Sequence, residues 1–246
     1  MSPTPEVLVR PYRKGDNVEQ IIKIFNESFY RIAHTEGLPH ALKQTYIQVI
    51  LFFLALVTYA ATGSYILGLF SILIGIAIRT CYKSIAYVIY TKFCCDDFHD
   101  IAGVYQQPYA RSNFFVAEIN GRIVGCAAIV NEDSLHERFE EYSIHRNVST
   151  GKLDSDVDND VKIAELKRMA VDVSFRGLSI GRKLLDHCVK FCKQNNYNRI
   201  HLTTTGEQIA AQRLYTRYGF KVDFIESDIF MHLFHVYVYH MSLFIQ

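Results

Sequence analysis

The sequence predicts an α+β fold, one β-sheet flanked by helices and interrupted by a long apolar insertion. Three observations carry that expectation. From Glu165 onward, short runs rich in apolar and β-branched residues alternate with amphipathic helical stretches. Upstream, two alternating apolar runs flank Asn120-Gly121, the strongest short hairpin signal. Between the first helix and that hairpin, no charged residue occurs from Gln44 to Ile78.

In chain order, VLVRPYRKGD followed by NVEQIIKIFNESF predicts a strand at Val7–Arg10 and an amphipathic helix, with Asp16 or Asn17 as its cap. The uncharged run would be about 52 Å long as one helix, against a hydrocarbon core of roughly 30 Å. Fitting it there demands a tilt of about 55°, beyond the usual range of roughly 0–40°. Thr62-Gly63-Ser64 divides residues 44–78 into two arms, so a helical hairpin is expected, either spanning or re-entrant. The first strand must join one sheet with strands from residue 114 onward, which requires the chain to return to the side it left. Lys43 before the run, and Arg79 and Lys83 after it, are flanks that agree with cytosolic ends for both arms. The alternative is two buried helices of a soluble protein. Residues 82–95 mix aromatics, aliphatics and lysines as an interfacial segment does, or else form a surface helix on the sheet. Cys94 and Cys95 close it, either palmitoylated or as reduced thiols. MSPTPEVLVRPYRKGD has no apolar core of signal-peptide length, which leaves the hairpin as the targeting element.

FFVAEINGRIVGCAAIV supplies the hairpin, and residues 131–161, polar and acid-rich, are expected to form a long mobile loop near the acceptor entrance. A strand ending at Val171 then turns into the helix KLLDHCVKFCK, which Asn195-Asn196 stops. RIHLTTT reads as a buried strand, Glu207 to Tyr218 as a helix capped by Gly219, and LFHVYVYHMSLFI as closing strands. About 200 residues remain outside the insertion, so residues 1–246 are expected to form a single domain.

A formal net charge of +1 leaves no basic footprint for nucleic acid. The six cysteines show no paired metal spacing, and Cys188 and Cys192, at i and i+4 of a helix, read as core packing; no metal is expected. The insertion carries no charge, which argues against a channel or transporter. The sequons Asn26-Glu-Ser28 and Asn147-Val-Ser149 should stay bare on a cytosolic domain.

The chemistry concentrates in ELKRMAVDVSFRGLSIG, Glu165 to Gly181. A glycine-bearing turn between a strand and a helix aims backbone N–H groups and the positive end of a helix dipole at one spot, which suits a pyrophosphate. No Lys-Ser/Thr follows, so this is not a nucleoside-triphosphate loop. Nor does it open a dinucleotide unit with an acidic residue after a second strand. Arg176, Ser179 and Gly181 fall on the marked positions of Gln/Arg-x-x-Gly-x-Gly/Ala. Gln208, Ala211, Tyr215, Gly219 and Phe220 fall on Asn-x-x-Ala-x-x-x-Tyr-x-x-x-Gly-Phe. In these two motifs the chain resembles the GNAT superfamily of N-acetyltransferases. ELKRMAVDVSFRG, the Gln-x-x-Ala variant of the tyrosine helix, the His-Tyr-rich tail and the apolar insertion are similar to its camello-type (N-acetyltransferase 8-like) membrane-bound group. Ser179 stands where the pattern has glycine and is expected to satisfy a demand for a small side chain, not a left-handed backbone.

The resemblance implies a mixed sheet splayed near its middle to admit acetyl-CoA as cosubstrate. It implies that the backbone of Met169, Ala170 and Val171 holds pantetheine and polarises the thioester. The diphosphate would rest on Arg176, Gly177, Leu178, Ser179, Ile180, Gly181 and Arg182. Tyr215 is implied as the acid for the leaving thiolate. Glu165, six residues before Val171, is implied as the base that deprotonates the amine. The alternatives are ordered water as base, with Glu165 merely paired to Lys167 or Arg168. His201 is either a packed structural histidine or a second base. The implied acceptor is the amine of a small molecule: an amino acid, a cysteine S-conjugate or an aspartate-like compound. The implied location is a membrane, that of the endoplasmic reticulum, with the catalytic domain cytosolic. Two other readings stay open, a lysine or N-terminal protein acetyltransferase facing the lumen and a non-catalytic adaptor of the same fold.

Overall fold

A computed structural model describes residues 5–31, 42–43, 45–93, 95–107, 111–131, 162–226 and 237–245. The chain divides into two compact units, residues 1–25 with 97–246, and residues 26–96. Most of the expected loop at 131–161, Cys94 and the Asn147 sequon fall outside the described residues.

The first unit is built on a mixed sheet. Its described strands are β1 (Leu8–Pro11), β2 (Asn113–Ile119), β3 (Arg122–Asn131), β4 (Ile163–Val171), β5 (Arg199–Thr205), β6 (Lys221–Glu226) and β7 (Val238–Phe244). Their order across the sheet is β1-β2-β3-β4-β5-β7-β6. Among the described strands only β4 and β5 run parallel, since a helical crossover joins them. β6 has no counterpart in the sequence reading: KVDFIE carries charges at alternate and terminal positions, and it acquires strand character by pairing with β7. The β2–β3 turn is built as expected, with φ 49° at Asn120 and 78° at Gly121 matching the twist of a two-residue hairpin.

The helices α1 (Val18–Arg31), α4 (Ile101–Tyr105), α5 (Ile180–Gln194) and α6 (Ile209–Tyr218) accompany these strands, α1 running on into the second unit. Of the two cap candidates, Asn17 does the capping, its Oδ1 accepting the Gln20 N–H at 3.0 Å. Asp16 instead pairs with Arg10 at 2.8 Å, and Arg10 also reaches Glu118 at 2.7 Å. One sheet face packs Phe115, Ala127, Ala164, Leu166 and Ile200 against Leu184, Leu185, Cys188 and Cys192 of α5. Both cysteines are therefore core, as expected. The other face receives Ile21, Ile24 and Phe25 of α1, with Phe98 and Tyr105 closing on Phe114.

The second unit contains α2 (Thr45–Thr62) and α3 (Tyr65–Phe93). The break falls at Gly63, with φ 69°, and Ser64, where the sequence places it. Residues 82–93 continue α3, which is about 43 Å long at the usual rise. A side chain at Gly68 would come within 3.2 Å of the Ala55 carbonyl oxygen, and one at Gly75 within 3.1 Å of Leu51, so these glycines let the two helices approach closely. Both helices have the length and apolar composition to cross a membrane.

Candidate active site

β4 and β5 stay paired only over Ile163–Leu166 and Arg199–Leu202. Beyond Leu166, β4 continues along β3, while β5 continues along β7 to Thr205. The sheet thus splits between the two strands. The cause lies in β4, where Cys126 faces Ala170 and Ala128 faces Lys167, so Arg168 and Met169 together oppose Ala127. Such a bulge bends the strand and increases its twist. Arg168 is its left-handed residue, with φ 54°. On the β5 side, Met169, Ala170 and Val171 make no strand pairing, so this edge can take an extended ligand as an added strand.

The turn after β4 is pinned at its start. Asp172 donates its N–H to Val124 at 2.8 Å, accepts the Ser174 N–H at 2.9 Å and pairs with Arg122 at 3.0 Å. Arg176 is extended and exposed, and Gly177 has φ 86°. Ser179, the residue before α5, has φ 58° and ψ 18°, with no side-chain bond capping the helix. The backbone at Ser179 is therefore left-handed, contrary to the sequence expectation, because the chain must reverse there to start α5. Leu178 anchors the turn to the core, and Ile180 is buried. The first helical hydrogen bond runs from Lys183 N–H to the Ser179 carbonyl at 3.0 Å. The N–H groups of Ile180, Gly181 and Arg182 thus have no intrahelical acceptor and face outward at the positive dipole end. Gly181 serves packing instead: a side chain there would lie 2.9 Å from Leu214 and 3.5 Å from Met169. Arg182 lies over the Tyr218 ring at 5.7 Å.

Tyr215 comes to the split from α6. Gln208, in place of the usual asparagine, reaches back to the end of β5, its Oε1 accepting from the Thr204 hydroxyl at 2.6 Å and Thr205 N–H at 3.2 Å. Gly219 ends the helix at φ 119°, and Phe220 N–H returns to the Tyr215 carbonyl at 3.0 Å. The Tyr215 hydroxyl lies 3.6 Å from Met169 Sδ. Burial, with Cys188 nearby, pushes its phenol well above the usual 10, so it stays protonated.

Glu165 stands just before the split, register partner of His201 on β5. It alternates with Ala164 and Leu166, which face α5, so it lies on the opposite sheet face from Tyr215. Its carboxylate pairs with Lys167 at 2.7 Å. Arg168, the other partner considered for Glu165, turns instead to Asp97 at 2.8 Å. His201 is buried in a polar network across β5, β6 and β7, 3.3 Å from His240, which in turn is 3.1 Å from Glu226. Sequence reasoning missed this network because it missed β6. It also missed Asp97, Tyr105 and Cys126 around the bulge, and only the run of charge at Asp96, Asp97 and Asp100 just after the apolar insertion gave any signal.

Comparison with known proteins agrees with this architecture. Residues 83–220 match the model of the Acetyltransferase (GNAT) family. The chain is 28% identical over 217 residues to N-acetylaspartate synthetase of Danio rerio, covering 88% of this chain and 67% of that protein. It is 29% identical to the probable N-acetyltransferase camello of Xenopus tropicalis, covering 78% of each. Against the mouse (Mus musculus) N-acetylaspartate synthetase, identity is 27% over 87% of this chain and 63% of that protein. Among solved structures, a GNAT-family acetyltransferase of Staphylococcus aureus superposes with a TM-score of 0.51 at 16% identity, covering 98% of this chain and all of that one. That last likeness concerns the fold alone. With the split sheet, the glycine-bearing turn and the tyrosine helix in the expected order, the chain belongs to the GNAT family of acetyltransferases and is an N-acetyltransferase.

Proposed function

We propose that the protein is a membrane-anchored enzyme that moves the acetyl group of acetyl-CoA to the amine of a small, amino-acid-like acceptor. The observation that carries the reading is the opening of the sheet at the β4 bulge, with the turn at Gly177–Arg182 at one end and Tyr215 beside Met169. In this reading the diphosphate sits on the N–H groups of Gly177 to Arg182, with Arg176 or Arg182 adding charge. Pantetheine lies along Met169–Val171 as an added strand, and an amide N–H there polarises the thioester carbonyl.

The acceptor approaches from the face that bears Glu165. Its ammonium gives one proton to the Glu165 carboxylate, directly or through water, and the free amine attacks the carbonyl carbon. Collapse of the tetrahedral intermediate breaks the C–S bond, Tyr215 donates its proton to the departing thiolate, and the second proton leaves the nitrogen through water to restore the phenol, so the net proton released is the one on Glu165. Burial raises the phenol, so it keeps its proton until thiolate charge develops beside it. The names of the relatives, N-acetylaspartate synthetase above all, support an amino-acid acceptor such as aspartate.

Membrane anchoring rests on α2 and α3. Phe52, Phe53, Val57, Leu69, Phe70 and Ile78 are all exposed, an apolar surface that water disfavours and lipid does not. Hydroxyls of Thr58, Thr62, Ser71, Thr80 and Ser84 bond back to carbonyls of their own helix, as an apolar medium requires. The basic flanks favour cytosolic ends and an endoplasmic reticulum location.

The test is acetylation by the full-length protein in detergent, with acetyl-CoA and a panel of amines including aspartate, read by mass spectrometry. A single acetylated amino acid, with stoichiometric free thiol, is expected. No product with any amine, together with no acetyl-CoA binding by calorimetry, overturns the reading.

A further inference from the structure

The bulge that opens the sheet is held by a side chain. Arg168 adopts φ 54°, a region that residues other than glycine disfavour. Its Nε donates to Asp97 Oδ2 at 2.8 Å, and its guanidinium carbon lies 5.8 Å from the ring centroids of both Phe25 and Phe98. The Tyr105 hydroxyl donates to the same Asp97 oxygen. The two ion-pair side chains are only 12% and 14% exposed, so water screens them little. Beneath the bulge, the Cys126 thiol donates to the Arg168 carbonyl at 3.1 Å. Phe98 packs on Phe25 at 5.1 Å, and Tyr105 on Phe114 at 5.4 Å, which roots the far side of the cluster in the second face of the sheet.

We infer that Arg168 is a positioning residue, and that the Arg168–Asp97–Tyr105 cluster clamps the β4 bulge in the geometry that aims the Met169–Val171 backbone at the thioester. The inference rests on the functional reading above. The neighbouring Lys167 cannot share this task, because its ammonium turns to Glu165. Arginine suits it, since a planar guanidinium donates to a carboxylate at its edge while its faces stack on rings.

The full-length protein carrying Arg168→Met, Arg168→Gly, Arg168→Lys, Asp97→Asn or Arg168→Met with Asp97→Asn tests the clamp. The readings are kcat, acetyl-CoA affinity by calorimetry and thermal midpoint. A bulge loosened by about an ångström should lower kcat about 100-fold in Arg168→Met and Asp97→Asn, with acetyl-CoA affinity within about threefold because the turn at 177–182 is untouched. The double variant should be no slower than the slower single one, as expected for partners in one interaction. Arg168→Gly separates two explanations: glycine accepts the left-handed backbone freely, so wild-type kcat in this variant means the backbone alone sets the bulge and overturns the clamp. Wild-type kcat in Arg168→Met overturns it too. So does a loss of kcat matched by equal losses of affinity and thermal midpoint, which marks a folding role only. If Arg168→Met does not fold, Asp97→Asn and Arg168→Lys decide by the same criteria. Wild-type protein that binds no acetyl-CoA refutes the functional reading itself, a result distinct from any variant's.

Discussion

Removing the Tyr215 hydroxyl should separate activity from stability. The phenol has a thioether as its neighbour, Met169 Sδ at 3.6 Å, and sulfur of that kind is a weak acceptor. Tyr215→Phe therefore orphans no strong acceptor, and the ring keeps its packing on Phe220 at 5.7 Å. The stability change should stay within about 1 kcal/mol, or about 2–4 °C for a unit of this size. Loss of a positioned acid, by contrast, should lower kcat about 10²–10⁴-fold, equivalent to roughly 3–5 kcal/mol of barrier. The assay is thiol release against acetyl-CoA concentration, alongside a thermal melt of the same preparation. Because burial holds the phenol above its ordinary 10, wild-type kcat should show no alkaline loss from this group below pH 10. A Tyr215→Phe enzyme with kcat within about threefold of wild type refutes the acid role, since general-acid catalysis is worth far more.

Three further outcomes follow from the geometry. Gly177→Ala should destabilise by about 1 kcal/mol, from a backbone penalty of about 1–2 kcal/mol less the unfolded-state gain, since nothing lies within 4 Å of the added methyl. It should also weaken acetyl-CoA binding by calorimetry, whereas Gly181→Ala, without positive φ, need only displace the end of Leu214. Thermal stability should fall as pH rises above 10. Tyr12, Tyr105, Tyr215 and Tyr218 are all raised in the folded state, chiefly by burial, so the unfolded chain releases protons that the folded one keeps. Melts at several pH values should show this, with a shallower decline in Tyr215→Phe. Leu69→Arg, at a side chain 60% exposed, should cost about 2.5–3.5 kcal/mol of insertion if that surface meets lipid. Carbonate extraction of membranes should then release more of the variant; an unchanged membrane fraction counts against the hairpin as an anchor.

The sequence alone determined the local elements whose signals are short-range. Asn120-Gly121 sets a hairpin because both residues tolerate positive φ, and Gly63-Ser64 interrupts an apolar run long enough to demand a break. The turn between Val171 and Ile180 and the tyrosine helix were legible because their glycines, aromatic and spacing recur in a known motif. What the sequence did not determine depends on partners distant along the chain. KVDFIE becomes β6 only because β7 lies beside it, and the backbone at Ser179 turns left-handed because the start of α5 requires a reversal there. Arg168 follows the same logic: its charge looks available to Glu165 in the sequence, yet the bulge rotates it to Asp97, 71 residues earlier, between two phenylalanine rings. Local propensity fixes which residues can turn or extend. Long-range pairing and burial fix which side chains meet, because an ion pair or a strand edge gains its energy only when the fold has already brought both halves together.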